Sequence, residues 1–354
     1  MKNKIITIIF IIYIFTFSFL GIVLKDSDIS ISERRMLSSF PEYTLSNEYI
    51  TKLDKYLLDH FPFRDNFRSL KAYFNYNVLQ KLDNNNIYLE DDYIFKSEYP
   101  TNKKSIANFV KKINLIRENL TEENNVYMMA VPDKNYYLQS DNFLHIDYDY
   151  IYDELYKLNI EMIDIRNIME LNDYYKTDTH WRQEKLDKVV LKMSEIMDFK
   201  YQNIIYHEND YNNFYGVYYG EAAISSKPET ITYLTNYIIS NLRVEYLENK
   251  SLTTIYNLDN LTGLDSYEVY LDGASSFIEI YNDNSVFDKE LIIFRDSFAS
   301  SLTPLLTNYY KKIVLIDNRY INSSDYMDMI NFGDQDVLFM YSTLMINNST
   351  SLKG

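Results

Sequence analysis

The sequence predicts an α/β domain built on a mainly parallel sheet, preceded by one N-terminal transmembrane helix. Two observations predict this fold class. Short apolar runs alternate with amphipathic helical patterns along the chain, as in sheets whose two faces are both covered by helices. Ahead of them, residues 5–24 form an uncharged, mostly apolar run of 20 residues, long enough to cross about 30 Å of hydrocarbon as a helix.

Residues 1–24 predict a cytoplasmic tip and a signal anchor that stays on the protein. Lys2 and Lys4 precede the apolar run, which places the N-terminus in the cytoplasm. A cleaved signal peptide has a shorter apolar core and a small-residue cleavage site, and residues 21–26 offer no such site. We therefore expect a single-pass protein of the cell membrane whose main domain is extracytoplasmic.

The composition of the remaining chain excludes several classes of function. The chain contains no cysteine, which excludes thiol chemistry and thiolate metal sites. After residue 24 it carries 33 Lys and Arg against 51 Asp and Glu, a net charge of −18. Such a surface repels the phosphates of nucleic acid, so no nucleic-acid partner is expected, and it disfavours contact with anionic lipid.

Residues 25–86 are predicted to form a stalk followed by two lead-in helices. Residues 25–46 are polar and irregular. Apolar residues at helical spacing then predict a helix over 47–59, which ends before Pro62 because proline disfavours helical geometry in the residue before it. A second helix is expected from Phe67 to about Leu82.

Residues 87–354 are predicted to form the main domain. The apolar run 126–131, stopped by Pro132, is typical of a strand buried on both faces. Residues 198–286 are expected to form loops and strands that elaborate one face. The other predicted strands are 87–89, 93–95, 161–165, 291–294, 312–316 and 337–340, and the predicted helices are 105–118, 153–158, 183–197, 298–308 and 325–331.

The residues that can carry chemistry lie in two segments more than a hundred positions apart. Asp178 and His180 are two positions apart in a segment that is predicted to be a loop, and Ser297 follows the predicted strand 291–294 and opens a helix. Serine hydrolysis and acyl transfer need such a hydroxyl, imidazole and carboxylate. The N-terminus of the helix after Ser297 supplies amides and a positive dipole end for an oxyanion.

Other interpretations of these residues stay open at the level of sequence. Asp296 or Ser297 can cap the helix that follows, and Asp178 can cap a helix beside a surface histidine. An Asp-x-His pair can also supply two metal ligands, but no third ligand stands at a recognisable spacing, so no metal and no cofactor are expected. Trp181 is either a packing anchor of its loop or a contact for substrate.

Seven segments together carry a resemblance to a known family. They are 33–41, 59–65, Thr177-Asp178-Thr179-His180-Trp181, 213–219, 270–273, Arg295-Asp296-Ser297-Phe298 and 314–320. In this order they resemble the DHHW family of bacterial exported proteins, relatives of the SGNH-hydrolase-like proteins that O-acetylate alginate. Thr179 stands where many members have the first histidine of the motif.

The resemblance implies a three-layer α/β/α SGNH-hydrolase-like domain with a Ser-His-Asp triad. By this analogy Ser297 is the nucleophile, His180 the base and Asp178 the carboxylate that orients it. The implied protein is an anchored, extracytoplasmic serine O-acyltransferase or esterase. It is expected to act on cell-envelope or exopolysaccharide carbohydrate, with acetyl as the acyl group. In the related systems a membrane-bound O-acyltransferase delivers the acyl group, which makes such an enzyme an expected partner.

The chain departs from the family pattern at two positions beside the expected site. Arg295 stands where glycine precedes Asp-Ser, and Ala274 follows Gly273 where relatives tend to have asparagine. The oxyanion hole is then expected to use amides of Phe298 and of Gly273 or Ala274, with Arg295 as a further substrate contact. The departures also motivate an alternative: a catalytically inactive envelope scaffold or glycan-binding protein that keeps the fold.

Overall fold

The computed structural model describes residues 2–138, 142–224, 226–249 and 251–353. The chain divides into two compact units. The first comprises residues 1–88 and 217–226, and the second comprises residues 89–216 and 227–354. Residues 217–226, which lie within the region predicted to elaborate one face, belong to the first unit.

The strands are β1 Ile29–Ser30, β2 Arg35–Met36, β3 Asp83–Asn84, β4 Ile87–Glu90, β5 Tyr93–Lys96, β6 Asn125–Val131, β7 Glu161–Met162, β8 His207–Phe214, β9 Glu229–Thr235, β10 Arg243–Tyr246, β11 Phe277–Tyr281, β12 Glu290–Arg295, β13 Lys312–Ile316 and β14 Asp336–Ser342. The α-helices are α1 Lys2–Val23, α2 Asn47–Asp59, α3 Arg64–Tyr73, α4 Lys103–Arg117, α5 Tyr148–Tyr156, α6 Asp187–Ile196, α7 Val217–Ala222, α8 Ala299–Leu306, α9 Ser323–Met327 and α10 Thr343–Asn347. A π-helical turn, Phe74–Val78, continues α3, and 3₁₀ turns cover Lys134–Tyr137, Leu171–Asp173, Gln183–Lys185, Ile239–Asn241, Leu258–Thr262, Ser266–Val269 and Ser349–Ser351.

In the first unit, α1 contains a stretch, Lys4–Val23, that is long and apolar enough to cross a membrane. The predicted helix 47–59 is confirmed as α2, and Ser46 caps it by accepting the N–H of Tyr49 at 3.2 Å. The prediction of one regular helix to Leu82 is wrong at its end. The helix widens into the π-turn after Tyr73, where Asn75 is turned inward and donates to Asn84 Oδ1 at 2.8 Å.

The second unit is built on a seven-stranded sheet with the order β10-β11-β13-β12-β14-β6-β7. The strands β13, β12, β14, β6 and β7 are parallel neighbours, which confirms the mainly parallel sheet. The strands β10 and β11 extend it antiparallel at one edge. They come from residues 198–286, so part of the predicted elaboration completes the central sheet itself.

Helices cover both faces of this sheet. In β6, Met129 belongs to one core and Met128 to the other, and in β12 Ile293 and Ile292 divide in the same way. Side chains of α6 and α8 complete the first core, and side chains of α4 and α5 complete the second. The predicted three-layer α/β/α architecture is therefore confirmed.

The predicted helix 183–197 divides into a 3₁₀ turn, Gln183–Lys185, and the shorter α6. The side chain of Gln183 is fully buried. It accepts the N–H of Leu234 and donates to the carbonyl of Ser301, both at 2.7 Å. These contacts turn the first residues of the segment inward, and the regular helix begins only at Asp187.

The loops that matter for chemistry leave one edge of the sheet. The parallel neighbours β6, β14 and β12 end at Val131, Ser342 and Arg295, so the segments after them emerge side by side. Ligands of open α/β sheets bind at this carboxyl edge.

Candidate functional site

Ser297 lies in the turn between β12 and α8, at the carboxyl edge of the sheet. The residue before it, Asp296, serves the backbone: its carboxylate accepts the N–H of Phe298 at 3.0 Å and the N–H of Ser342 at 2.7 Å. Of the two capping residues that the sequence allowed, Asp296 therefore holds the turn. The hydroxyl of Ser297 points to a different partner.

That partner is His180. The imidazole Nε2 lies 2.7 Å from Ser297 Oγ, and Nδ1 lies 2.6 Å from Asp178 Oδ1. Asp178 Oδ1 also accepts the backbone N–H of His180 at 3.0 Å, which holds the ring and the carboxylate in one short loop. The structure thus brings the three predicted side chains into one hydrogen-bonded chain. His180 is 9% exposed and Asp178 is 1% exposed, so neither is a surface residue.

The donors and acceptors of this chain follow from the chemistry of its members. A carboxylate only accepts hydrogen bonds, so the proton of the neutral imidazole sits on Nδ1, facing Asp178. The other nitrogen, Nε2, then carries the lone pair that faces the hydroxyl of Ser297. This arrangement can take a proton from the serine oxygen and return it later.

Lys134 holds the loop of Asp178 from one side. Its side chain is buried, and Nζ donates to the carbonyls of Tyr175, Lys176 and Asp178 at 3.1, 3.0 and 2.7 Å. Burial lowers the pKa of the Lys134 amine to about 7, although nearby carboxylates, that of Asp178 foremost, oppose the change. The three carbonyls match the three N–H donors of an ammonium group.

Glu229 and Gly216 hold the same loop from the other side. The carboxylate of Glu229 accepts the N–H groups of Lys176 and Thr177, both at 2.7 Å, and the hydroxyl of Thr177 at 2.6 Å. The N–H of Gly216 donates to Thr177 Oγ1 at 2.8 Å. Lys134 therefore donates to the carbonyls of the loop, while Glu229 accepts hydrogen bonds from its amides. Asp178 consequently has little freedom to move.

An aromatic ring covers the face of His180. The rings of Tyr267 and His180 are parallel within 5°, with centroids 3.8 Å apart. The hydroxyl of Tyr267 lies 2.9 Å from Ser301 Oγ, which also accepts the indole N–H of Trp181 at 2.9 Å. Burial raises the pKa of Tyr267 well above its usual value, so the phenol stays neutral.

The structure places two further predicted substrate contacts inside the protein. Trp181 is fully buried, and its indole also donates to the carbonyl of Phe298 at 3.0 Å, which agrees with a packing anchor. Arg295 is 1% exposed, and its guanidinium donates to Ser300 Oγ at 2.8 Å. Burial lowers the pKa of Arg295, and the nearby Asp317 opposes this. Both side chains therefore make their hydrogen bonds inside the protein.

The amides expected at the oxyanion hole differ in whether they already donate a hydrogen bond within the protein. The N–H of Phe298 already donates to Asp296, and the N–H of Gly273 donates to the carbonyl of Tyr270 at 3.3 Å. Ala274 is exposed beside them. Within the described ranges, no backbone acceptor lies within hydrogen-bond distance of the N–H of Ser297 or of Ala274. These two amides are the better candidates for an oxyanion.

In the part of the chain that the structure describes, no three His, Cys, Asp or Glu side chains are grouped so that they could hold a metal ion. Sequence reasoning also missed Lys134, Glu229 and Tyr267. Only Lys134 had a signal: it is a charged residue that follows almost directly on the buried strand β6.

Solved structures share this fold. A DHHW family protein from Eubacterium siraeum matches with a TM-score of 0.65 at 18% identity, over 77% of this chain and 97% of that protein. PatB1 of Bacillus cereus, solved with a sulfonyl adduct, matches with a TM-score of 0.60 at 19% identity, over 73% of this chain and 95% of PatB1. The O-acetyltransferase domain of Pseudomonas putida AlgJ matches more loosely, with a TM-score of 0.45 at 12% identity over 74% of this chain and 92% of that domain.

The sequence itself matches no family model and no curated protein. The two closer structural matches confirm the resemblance to a DHHW protein at the level of the fold.

Proposed function

We propose that this chain is a membrane-anchored, extracytoplasmic serine O-acyltransferase or esterase that adds acetyl groups to, or removes them from, cell-envelope or exopolysaccharide carbohydrate. One observation carries the proposal: the continuous hydrogen-bonded chain from Ser297 Oγ through His180 to Asp178. Serine acyl transfer requires these two hydrogen bonds, whereas a helix-capping residue and a surface histidine do not require them.

The chemistry follows from the two imidazole nitrogens. As Ser297 Oγ attacks the carbonyl carbon of an acyl donor, His180 Nε2 takes the hydroxyl proton, and Asp178 stabilises the imidazolium that forms. The tetrahedral intermediate collapses, the bond to the leaving oxygen breaks, and that oxygen takes the proton from Nε2. Ser297 is left as an acyl ester. A sugar hydroxyl or water then gives its proton to Nε2 and attacks the ester. The bond to Ser297 Oγ breaks, and that oxygen takes the proton back from Nε2.

The negative oxygen of each tetrahedral intermediate needs nearby donors. The N–H groups of Ser297 and Ala274 are assigned this role because the amides of Phe298 and Gly273 already donate elsewhere. Removal of a single such donor in serine enzymes lowers the rate about 10²- to 10³-fold. The number of N–H groups that can donate to the oxyanion therefore determines how active the site is.

The location and the acyl source complete the proposal. In this proposal, α1 anchors the chain in the membrane. A membrane-bound O-acyltransferase is the proposed supplier of acetyl groups from the cytoplasmic side, as the family resemblance implies. The carbohydrate acceptor rests on the same resemblance.

The full chain is expected to react with a fluorophosphonate or sulfonyl fluoride probe at Ser297 and to turn over p-nitrophenyl acetate. Ser297→Ala and His180→Ala are expected to lose labelling and to lower turnover about 10³-fold or more. Ser324→Ala, which changes an exposed serine on α9, serves as the matched control and is expected to behave as wild type. Mass spectrometry of the labelled peptide identifies the site.

The inactive scaffold makes the opposite prediction. If the wild-type chain is folded and binds glycan but is never labelled, the enzyme proposal is wrong. Adding candidate glycans to the acetyl ester assay separates the two enzyme versions. A transferase forms acetylated glycan faster than free acetate, whereas an esterase releases acetate regardless of the glycan.

We expect the ring of Tyr267 to stabilise the imidazolium that forms at His180 during the reaction. Two neutral rings disfavour a face-to-face stack, whereas a cationic ring over the face of a tyrosine is attracted to it. Tyr267→Leu is therefore expected to lower kcat/KM for p-nitrophenyl acetate about 3- to 30-fold in a protein that remains folded. Tyr267→Phe keeps the ring and should keep kcat/KM close to that of the wild type. A leucine variant whose melting temperature falls while its kcat/KM stays at the wild-type value would show that the ring has a purely structural role.

A further inference from the structure

One helical face of the first unit is apolar and exposed. Phe67, Leu70, Phe74 and Val78 follow one another at intervals of three and four residues along α3 and the π-turn, so they form one stripe, and Phe63 directly precedes α3. These five residues are here called the outer apolar face. In chain order from Phe63, their exposed fractions are 56%, 38%, 59%, 48% and 53%. A stripe of this length in water is costly unless something covers it.

The opposite side of the same helix already has its packing partners. Ala72 is fully buried, and Asn75 is buried and hydrogen-bonded to Asn84. Basic residues stand between the two sides: Arg64 pairs with Glu33 at 2.6 Å, and Lys71 donates to Asn85 Oδ1 at 2.9 Å. Apolar aromatic and leucine residues on one face with Arg and Lys beside them are typical of a helix that lies in a membrane interface.

The outer apolar face is continuous with the membrane helix. Phe17 of α1 stacks on Phe61 with ring centroids 5.4 Å apart, and it contacts Phe67 at 5.7 Å. Phe17 lies six residues before Val23, the last residue of α1, which places it about 9 Å inside the end of that helix. Interfacial helices bury their apolar faces about 5–10 Å deep, so Phe67 lies at the depth that such a helix occupies.

The net charge of residues 25–88 permits contact with a lipid interface. Residues 25–88 hold nine Lys and Arg and nine Asp and Glu, whereas residues 89–354 hold 24 against 42. All of the acidic surplus that disfavours contact with anionic lipid therefore lies outside the segment that carries the outer apolar face.

We propose that the outer apolar face lies in the outer leaflet of the bilayer that α1 crosses, with the lipid interface as its occupant. The proposal rests on the proposed anchor and is independent of the chemistry at Ser297. It makes the segment 63–78 a second membrane contact beside α1.

The absence of cysteine from the chain allows a direct test. The full chain is reconstituted in nanodiscs of phosphatidylethanolamine and phosphatidylglycerol, with a single spin label at one of four introduced cysteines. Leu70→Cys and Phe74→Cys report on the outer apolar face. Ser69→Cys is the matched control, since Ser69 is exposed but points away from the stripe, and Ile12→Cys marks the membrane core. Collision with oxygen reports lipid, and collision with a water-soluble nickel chelate reports solvent.

Labels at Leu70 and Phe74 are expected to collide with oxygen as the Ile12 label does, while the Ser69 label collides with the nickel chelate. Collision of the Leu70 and Phe74 labels with nickel, as at Ser69, overturns the proposal. Shielding from both reagents, with dipolar coupling between labels, overturns it in favour of a second copy of the chain. If the Ile12 label itself lies in water, the anchor and this proposal both fail, while labelling of Ser297 by the chemical probe is unaffected.

Discussion

Asp178→Asn is expected to lower kcat/KM for an activated acetyl ester about 10⁴-fold while the protein remains folded. Asp178 Oδ1 receives two N–H groups of His180, that of the ring and that of the backbone. An asparagine amide can turn its own N–H₂ group towards the ring. The imidazole proton then moves to Nε2, which faces Ser297 and can no longer accept its hydroxyl proton.

Steady-state kinetics with p-nitrophenyl acetate and the rate of probe labelling measure this effect. Asp187→Asn is the matched control, because Asp187 is an exposed aspartate in the same part of the chain, at the start of α6. A circular-dichroism melt shows whether Asp178→Asn is still folded. Activity within about tenfold of wild type in a folded Asp178→Asn protein would falsify the role of Asp178.

Gly216→Ala is expected to lower the free energy of unfolding by an amount on the order of 3–5 kcal/mol. A Cβ atom at this position would lie 2.2 Å from the carbonyl carbon and oxygen of Thr177 and 2.3 Å from the nitrogen of Asp178. All three are backbone atoms of a loop that Lys134 and Glu229 hold on both sides. Because these hydrogen bonds hold the loop in place, relieving the clash costs stability. It displaces either Asp178 or the chain around residue 216.

Thermal unfolding measures the loss, and a fall in melting temperature of about 10 °C is the expected result. Gly333→Ala is the control, since its added methyl group would meet nothing closer than 3.8 Å. Probe labelling of Gly216→Ala below its melting temperature should also be slow, because the displaced loop carries Asp178 and His180. A melting temperature within about 1 °C of wild type would contradict the packing described around Gly216.

The order of strands and helices was predictable because their signals are local. The buried strands β6, β12, β13 and β14 are short apolar runs, and their ends agree with the predicted ones within two residues. Patterns of this kind depend only on which side chains must leave water. The placement of β10 and β11 at the sheet edge was not predictable, because the pairing of strands far apart in sequence leaves no periodic trace.

The support of the candidate site was also hidden from the sequence. Lys134 and Glu229 act through backbone atoms of residues 175–178, and backbone groups are the same in every sequence. Tyr267 reaches His180 from a turn 87 positions later, among many other tyrosines of the chain. Nothing local distinguishes Glu229 and Tyr267 from ordinary surface or core positions, and only its place just after β6 marks Lys134.

By itself, the sequence determined the alternation of elements, the apolar N-terminal helix and the three residue types needed for serine chemistry, because each depends on local pattern or composition. Only the tertiary structure decided that Asp296 rather than Ser297 satisfies the turn, and that Ser297 meets His180 at 2.7 Å. The physical reason is that a hydrogen bond between residues 117 positions apart exists only when the sheet brings the ends of distant strands to one edge. The same packing buries Arg295 and Trp181, whose side chains alone would suit a substrate equally well.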